Sequence, residues 1–211
     1  MDFTAKKDII IKMNSAIIGC KKCRLCKGRI NAVPGEGNIN ASIVFIGEAP
    51  GAQEDKLGRP FVGRSGNLLN ELLGGIGLSR RDIWIGNVVK CRPPENRDPM
   101  VDEIRACKPY LDKQIELIDP KVVITLGRFA MEYFLPGEKI ANAHGKPYLL
   151  KTRVLYPLYH PAAALRNGTI KQILVKEFKE LKNLMTKDIA SIDFMNKEIK
   201  TDQEDEISLF I

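Results

Sequence analysis

The sequence predicts an α/β fold, a three-layer α/β/α sandwich around a central, mainly parallel sheet of four strands. Four short apolar runs alternate along the chain with segments whose apolar residues recur every three or four positions. The runs lack the strict alternation of a half-solvated strand, so they suit strands covered on both faces. Strands alternating with helices in turn imply parallel pairing through right-handed crossovers. With 211 residues, 44% of them hydrophobic, one domain with one core is expected.

Over residues 4–18, Ile9, Ile10, Met13 and Ile17 lie at helical spacing, and Gly19 stops the pattern. SIVFIG (42–47) reads as a buried strand, followed by a Pro/Gly turn, a charged loop and a helix at about 65–76. IWIGNVV (83–89) is the second strand. Asp98 and Pro99 read as the N-cap and first turn of a helix whose buried face is Ile104, Cys107, Leu111, Ile115 and Ile118, with a kink expected at Pro109. KVVITLG (121–127) is the third strand, leading into the short helix GRFAMEYFL, and RVLYPLYH (153–160) is the fourth. An amphipathic helix at about 170–186 (Ile170, Ile173, Leu174, Phe178, Leu181) closes a domain expected over 1–186. Residues 187–211 lose hydrophobicity, gain charge and read as a flexible tail ending in SLFI.

Ligands of such sheets bind beyond the carboxyl ends of the strands. The polar residues at those ends are Gly47-Glu48, Asn87, Gly127 and His160.

The formal charge is +7, and Lys6, Lys7, Lys12, Lys21, Lys22, Arg24, Lys27 and Arg29 crowd the first thirty residues. A phosphate backbone is the natural partner for such a face. No run approaches the ~18 apolar residues of a membrane span, and MDFTAKKDII lacks the apolar segment of a signal peptide. A soluble, cytoplasmic, chromosome-associated monomer without membrane attachment is expected.

Five cysteines cannot all pair, and a reducing compartment favours metal binding over disulfides. Cys20 and Cys23 form a C-x₂-C turn whose thiolates can converge on one centre, which Cys91 and Cys107 can close from across the fold. Cys26 is left over, although C-x₂-C-x₂-C would also begin a ferredoxin-type loop. Spacing alone leaves zinc and a [4Fe–4S] cluster both open.

GEAPGAQEDKLGRPFVGRSG (47–66), NVVKCRPPENRDP (87–99) and His160-Pro161-Ala162, together with the cysteine spacing, resemble the family 4 uracil-DNA glycosylases over about residues 17–185. The resemblance implies the uracil-DNA glycosylase-like form of the sandwich and a [4Fe–4S] cluster on Cys20, Cys23, Cys91 and Cys107. It implies uracil-containing DNA as the partner and base excision that leaves an abasic site. It also places Glu48, Ala49 and Pro50 at the floor of a uracil pocket. The best-known uracil glycosylases carry an aspartate where this chain has Ala49, one linked to activating water or steadying the sugar cation.

The residues suit that task. A base inside a duplex must be flipped out, stacked and read on its Watson–Crick edge before its bond is cut. Phe61, on a glycine-flanked loop, is the stacking candidate. Asn87 presents a donor and an acceptor together, matched to uracil O4 and N3–H and mismatched to the amino group of cytosine. Cleavage leaves negative charge on uracil O2 and positive character on the sugar. His160 is therefore the expected donor to O2, and Glu48 or Glu54, with substrate distortion, the expected replacement for the missing aspartate. His144 is read as having no catalytic part, and no lysine is placed for a covalent intermediate.

For the duplex, Arg59, Arg64, Ser65 and Lys90-Cys91-Arg92 are candidate backbone contacts, and Leu165 or Arg166 is the candidate wedge filling the hole left by the base. The terminal DQEDEISLFI resembles a degenerate sliding-clamp peptide, with Ile207 and Phe210-Ile211 as apolar anchors downstream of Gln203. A non-catalytic iron–sulfur DNA-binding module would explain the cysteines and the charge, but it has no need of Glu48, Phe61, Asn87 and His160.

Overall fold

The computed structural model describes residues 2–150, 152–187 and 189–195. Its centre is a sheet of β1 (Glu36–Gly37), β2 (Ile43–Gly47), β3 (Trp84–Asn87), β4 (Val122–Leu126), β5 (Tyr148–Leu150) and β6 (Arg153–Leu158), in the order β1-β3-β2-β4-β6-β5. The inner four strands are parallel and are the four apolar runs read from the sequence. The expectation of a four-stranded sheet needs correction, because β1 and β5 add antiparallel edges and make the sheet mixed and six-stranded. Two- and three-residue strands carry no periodicity of their own; pairing to a formed neighbour is what makes them strands.

Eight helices are described: α1 (Phe3–Ile18), α2 (Ala52–Leu57), α3 (Arg64–Gly75), α4 (Val101–Ile118), α5 (Arg128–Phe134), α6 (Ile140–Ala143), α7 (Pro161–Ala164) and α8 (Gly168–Met185). Alternate strand residues divide between two cores. Val44, Ile46, Trp84, Val123 and Leu155 meet Ile17 of α1, Tyr110, Leu111 and Ile115 of α4, and Ala130 and Met131 of α5. Ile43, Phe45, Ile85, Ile124, Tyr156 and Leu158 meet Leu69 and Leu73 of α3 and Leu174, Phe178 and Leu181 of α8 on the opposite face. Both faces are thus covered, as the unbroken apolar runs require.

Two local expectations change. The charged loop after SIVFIG folds into α2, stopped by Gly58 in the left-handed conformation. Asp98 is not the cap of α4: its carboxylate pairs with Arg128, and the helix begins at Val101, where Glu103 Oε2 accepts the Met100 N–H at 2.8 Å. Pro109 lies inside this helix.

Beyond α8, Ile192 and Phe194 pack against the α3/α8 core, and the Met195 N–H donates to the Pro147 carbonyl at 3.0 Å. The terminal peptide with Gln203, Ile207, Phe210 and Ile211 lies outside the described residues. No helix among the described residues is long and apolar enough to cross a membrane.

β2 and β4 are neighbours at the centre of the sheet, and the crossover from β2 runs outward to β3 while the connection from β4 runs outward to β6 in the opposite direction. That is the topological switch point at which a crevice opens beyond the carboxyl ends of the strands.

Candidate active site

Gly47 ends β2, and the ladder continues past it: the Val88 and Val89 amides donate to the Gly47 and Glu48 carbonyls at 2.9 and 3.1 Å. The turn leaves Glu48 and Ala49 half-buried and Pro50 buried. Asn87, at the end of β3, is only 2% exposed, and its Oδ1 has no hydrogen-bond partner among the described residues. An unpaired buried amide oxygen costs about 1–3 kcal/mol, an expense a ligand N–H would remove.

The lack of a side chain at Gly47 makes the crevice. A Cβ there would lie 2.5 Å from Asn87 Oδ1 and 2.6 Å from Phe61 Cζ. Phe61 sits in the left-handed region at φ 52°, strained for a bulky residue. Its neighbours hold it there. Arg80 donates to the carbonyls of Pro60 at 2.6 Å and Phe61 at 3.0 Å, while Glu54 Oε1 accepts the amides of Val62 at 2.9 Å and Gly63 at 2.8 Å. Gly66, in the first turn of α3, completes the seat, since a Cβ there would fall 1.8 Å from the Phe61 carbonyl oxygen.

The ring so fixed lies 5.7 Å from the His160 imidazole, inclined by 28°. His160 follows β6 and caps α7, its Nδ1 accepting the Ala162 N–H at 3.1 Å. Burial pushes its pKa down to about 4; Glu54 opposes the shift and Arg166 adds to it. Glu48 moves the other way, to about 7, chiefly by burial and then by the Asp98 carboxylate, with Arg128 opposing. Its carboxylate makes no hydrogen bond among the described residues, whereas that of Glu54 already serves the Phe61 loop. The crevice therefore holds a neutral histidine and a carboxylate that changes charge near neutral pH.

His144 stands apart, its Nδ1 against the Glu177 carboxylate and its ring 4.4 Å from Tyr159.

On the α1/α4 face Cys20, Cys23, Cys26, Cys91 and Cys107 line one cavity with Ile17, Arg29, Lys90 and Tyr110. Donors point at its sulfurs: Arg29 to Cys91 Sγ at 2.8 Å, and the Lys90 N–H to Cys107 Sγ at 3.2 Å. Burial raises the thiol pKa of Cys23 and Cys91 and that of Cys107 to about 11, so a bound metal must displace their protons. Among the described residues no three His, Cys, Asp or Glu side chains form a site for a metal ion. Five thiols lining one cavity supply the donor type that an iron–sulfur cluster takes.

The model of the uracil DNA glycosylase superfamily matches residues 34–184. A type-4 uracil-DNA glycosylase of Sulfurisphaera tokodaii is 50% identical over 187 residues, covering 84% of this chain and 85% of its own. The chain belongs to the type-4 uracil-DNA glycosylases. Type-4 uracil-DNA glycosylases of Archaeoglobus fulgidus and Thermotoga maritima are 45% and 40% identical, over 81% and 87% of this chain and 90% and 98% of theirs.

In this member of the type-4 uracil-DNA glycosylases, several expected DNA contacts are already engaged. Arg59 is exposed yet paired to Glu36, Nε to Oε2 at 2.8 Å, and Arg92 Nε donates to Asn96 Oδ1 at 2.8 Å. Arg64 is exposed and Ser65 half-buried at the start of α3, and Leu165 and Arg166 are exposed just after α7. Lys90, read as a backbone contact from its basic neighbours, is 1% exposed and points inward. Arg80, Gly66, Arg29 and Gln114, which hold the site together, had no local signal in the sequence.

Proposed function

We propose that this chain flips uracil out of DNA and hydrolyses its N-glycosidic bond in the crevice at the ends of β2, β3 and β6, leaving an abasic site. The observation that carries the reading is the unpartnered, buried Oδ1 of Asn87 beside Gly47 and Phe61. That oxygen accepts uracil N3–H and the amide nitrogen donates to O4; cytosine, with an amino group at C4 and no N3–H, opposes both. Phe61 supplies the stacking face, over a floor of Glu48, Ala49 and Pro50.

As the C1′–N1 bond breaks, its electron pair leaves with uracil, and His160 Nε2–H stabilises the charge arriving at O2. Water adds to C1′ and gives its proton to Glu48, whose pKa near 7 suits a base at neutral pH. Glu54 acts through the Phe61 loop as a positioning residue. Leu165, 38% exposed after α7, is the wedge; Arg166 beside it, with Arg64, Ser65, Arg59 and Arg92, faces the phosphates.

Cys20, Cys23, Cys91 and Cys107, four of the five thiols lining the cavity, would hold a [4Fe–4S] cluster, with Cys26 spare. When bound, it supplies a covalent tie between the N-terminal loop and the segment following Asn87. The domain reading of 1–186 with a separate tail, the monomeric state, and clamp docking through Ile207 and Phe210-Ile211 rest on sequence pattern; truncation after residue 195 tests the last.

The test of function is incubation with a single-uracil oligonucleotide followed by alkali. Scission at uracil alone is expected, and no scission, or scission without alkali, overturns the proposal.

A further inference from the structure

Lys90 is fully buried yet is placed in no step of the reaction. Its Nζ donates to the Asn87 carbonyl at 2.8 Å and to Gln114 Oε1 at 2.6 Å, and stands 5.8 Å from the Trp84 ring centre. Gln114 is anchored in turn, its Nε2 donating to the Pro34 carbonyl at 2.8 Å. The Lys90 backbone is held on both sides, its N–H on Cys107 Sγ at 3.2 Å and its carbonyl accepting the Val33 N–H at 2.7 Å. One residue thus touches the Asn87 turn with its side chain and the cysteine cavity with its backbone.

Packing does not account for the ammonium. Methionine has similar length and would fill the space without the several kcal/mol that burying a charge costs. Among the described residues no carboxylate lies within ion-pair distance of Lys90. Its hydrogen bonds go to a carbonyl whose residue carries the unpartnered amide of the crevice.

We propose that Lys90 is a positioning residue that couples the two sites: its ammonium fixes the Asn87 carbonyl, and so the aim of the Asn87 amide, while its backbone N–H, in the same turn, holds Cys107 Sγ. The inference rests on the reading of Asn87 as the uracil reader. Loss of the ammonium frees the turn after β3 to rotate, which weakens base reading before it weakens DNA binding.

The test is a double-mutant cycle of Lys90→Met and Asn87→Ala in the holoenzyme as purified. Readouts are single-turnover uracil release, affinity for a duplex with an abasic-site analogue, and the rate at which a chelator removes iron. Lys90→Met is expected to slow release about 10- to 100-fold in the wild-type background but no more than about threefold on Asn87→Ala, because coupled residues are not additive. Duplex affinity should stay within about threefold, and iron should leave several-fold faster. A uniform stability defect would instead slow both backgrounds equally; that result, or undiminished release by Lys90→Met, overturns the coupling.

If Lys90→Met does not fold, Gln114→Leu removes the other acceptor of the ammonium. It should then give a roughly three- to tenfold loss with the same non-additivity, and an additive or absent effect overturns the proposal. Wild-type protein run in parallel separates the two readings. No release by it overturns the function and the coupling together, whereas an active wild type with additive variants overturns the coupling alone.

Discussion

The Ala162 amide donates to His160 Nδ1 at 3.1 Å. An acceptor at Nδ1 requires that the neutral ring carry its proton on Nε2, so the free edge of the imidazole is a donor. Burial, which holds the pKa at about 4, keeps it neutral throughout the working range.

His160→Ala should lower single-turnover uracil release by ~10²–10³-fold, the usual worth of a donor aimed at developing charge, and leave duplex affinity nearly unchanged. An equal loss in both measurements would assign His160 to binding. The same shift affects stability. The unfolded chain takes up a proton near the ordinary histidine value, which the folded pocket refuses until about pH 4, so the Tm should fall as pH drops through that window.

Glu48 sets the pH dependence of release. Its pKa of about 7 means that the carboxylate is lost as pH falls, so release should rise from pH 6 to pH 8 and then level. Glu48→Gln should lower the plateau and flatten the profile. Asp98→Asn removes the neighbouring like charge and should move the midpoint to lower pH; an unmoved midpoint would show that another group titrates.

Gly47→Ala tests the crevice itself. The added methyl meets Asn87 Oδ1 at 2.5 Å and Phe61 Cζ at 2.6 Å, and neither can retreat freely. Overpacking of this kind costs about 1–3 kcal/mol, so the variant should fold with a lower Tm while uracil release falls by two orders of magnitude or more. Activity close to wild type would mean that the Asn87 amide and the Phe61 ring are not the reading surfaces.

The cysteines separate by substitution. Cys107→Ser should abolish bound iron and visible absorbance, whereas Cys26→Ser, removing the thiol left over from the four-ligand set, should retain both. Iron per chain measured on anaerobically purified protein decides it, and loss in both variants would require a different ligand set.

The inner strands and longer helices were legible because each carries its own signal. Runs such as VVITL are apolar at every position, and α8 buries Leu174, Phe178 and Leu181 at spacings of four and three. α2 was not. Its six residues offer no apolar stripe, and its neighbourhood is fixed by Asp55, whose Oδ1 accepts the amides of Ile30 and Asn31 at 2.9 and 3.2 Å, 25 and 24 residues away. α4 shows the same limit at its boundary: Asp98 has the composition of a cap, but Arg128, thirty residues on, takes its carboxylate.

Around His160, the sequence by itself determined which polar residues end the strands, because chain direction and apolar run length set those ends. Gly47, Asn87 and His160 are therefore identifiable as neighbours from chain order alone. Only the tertiary structure decided what state each group is in. The tautomer of His160, the raised pKa of Glu48, the use of Glu54 by the Phe61 loop and the inward turn of Lys90 all depend on burial and on partners distant in sequence. Desolvation and hydrogen bonding act through space, so a basic Lys90-Cys91-Arg92 string that reads as surface can place its lysine in the core, one hydrogen bond behind the end of β3.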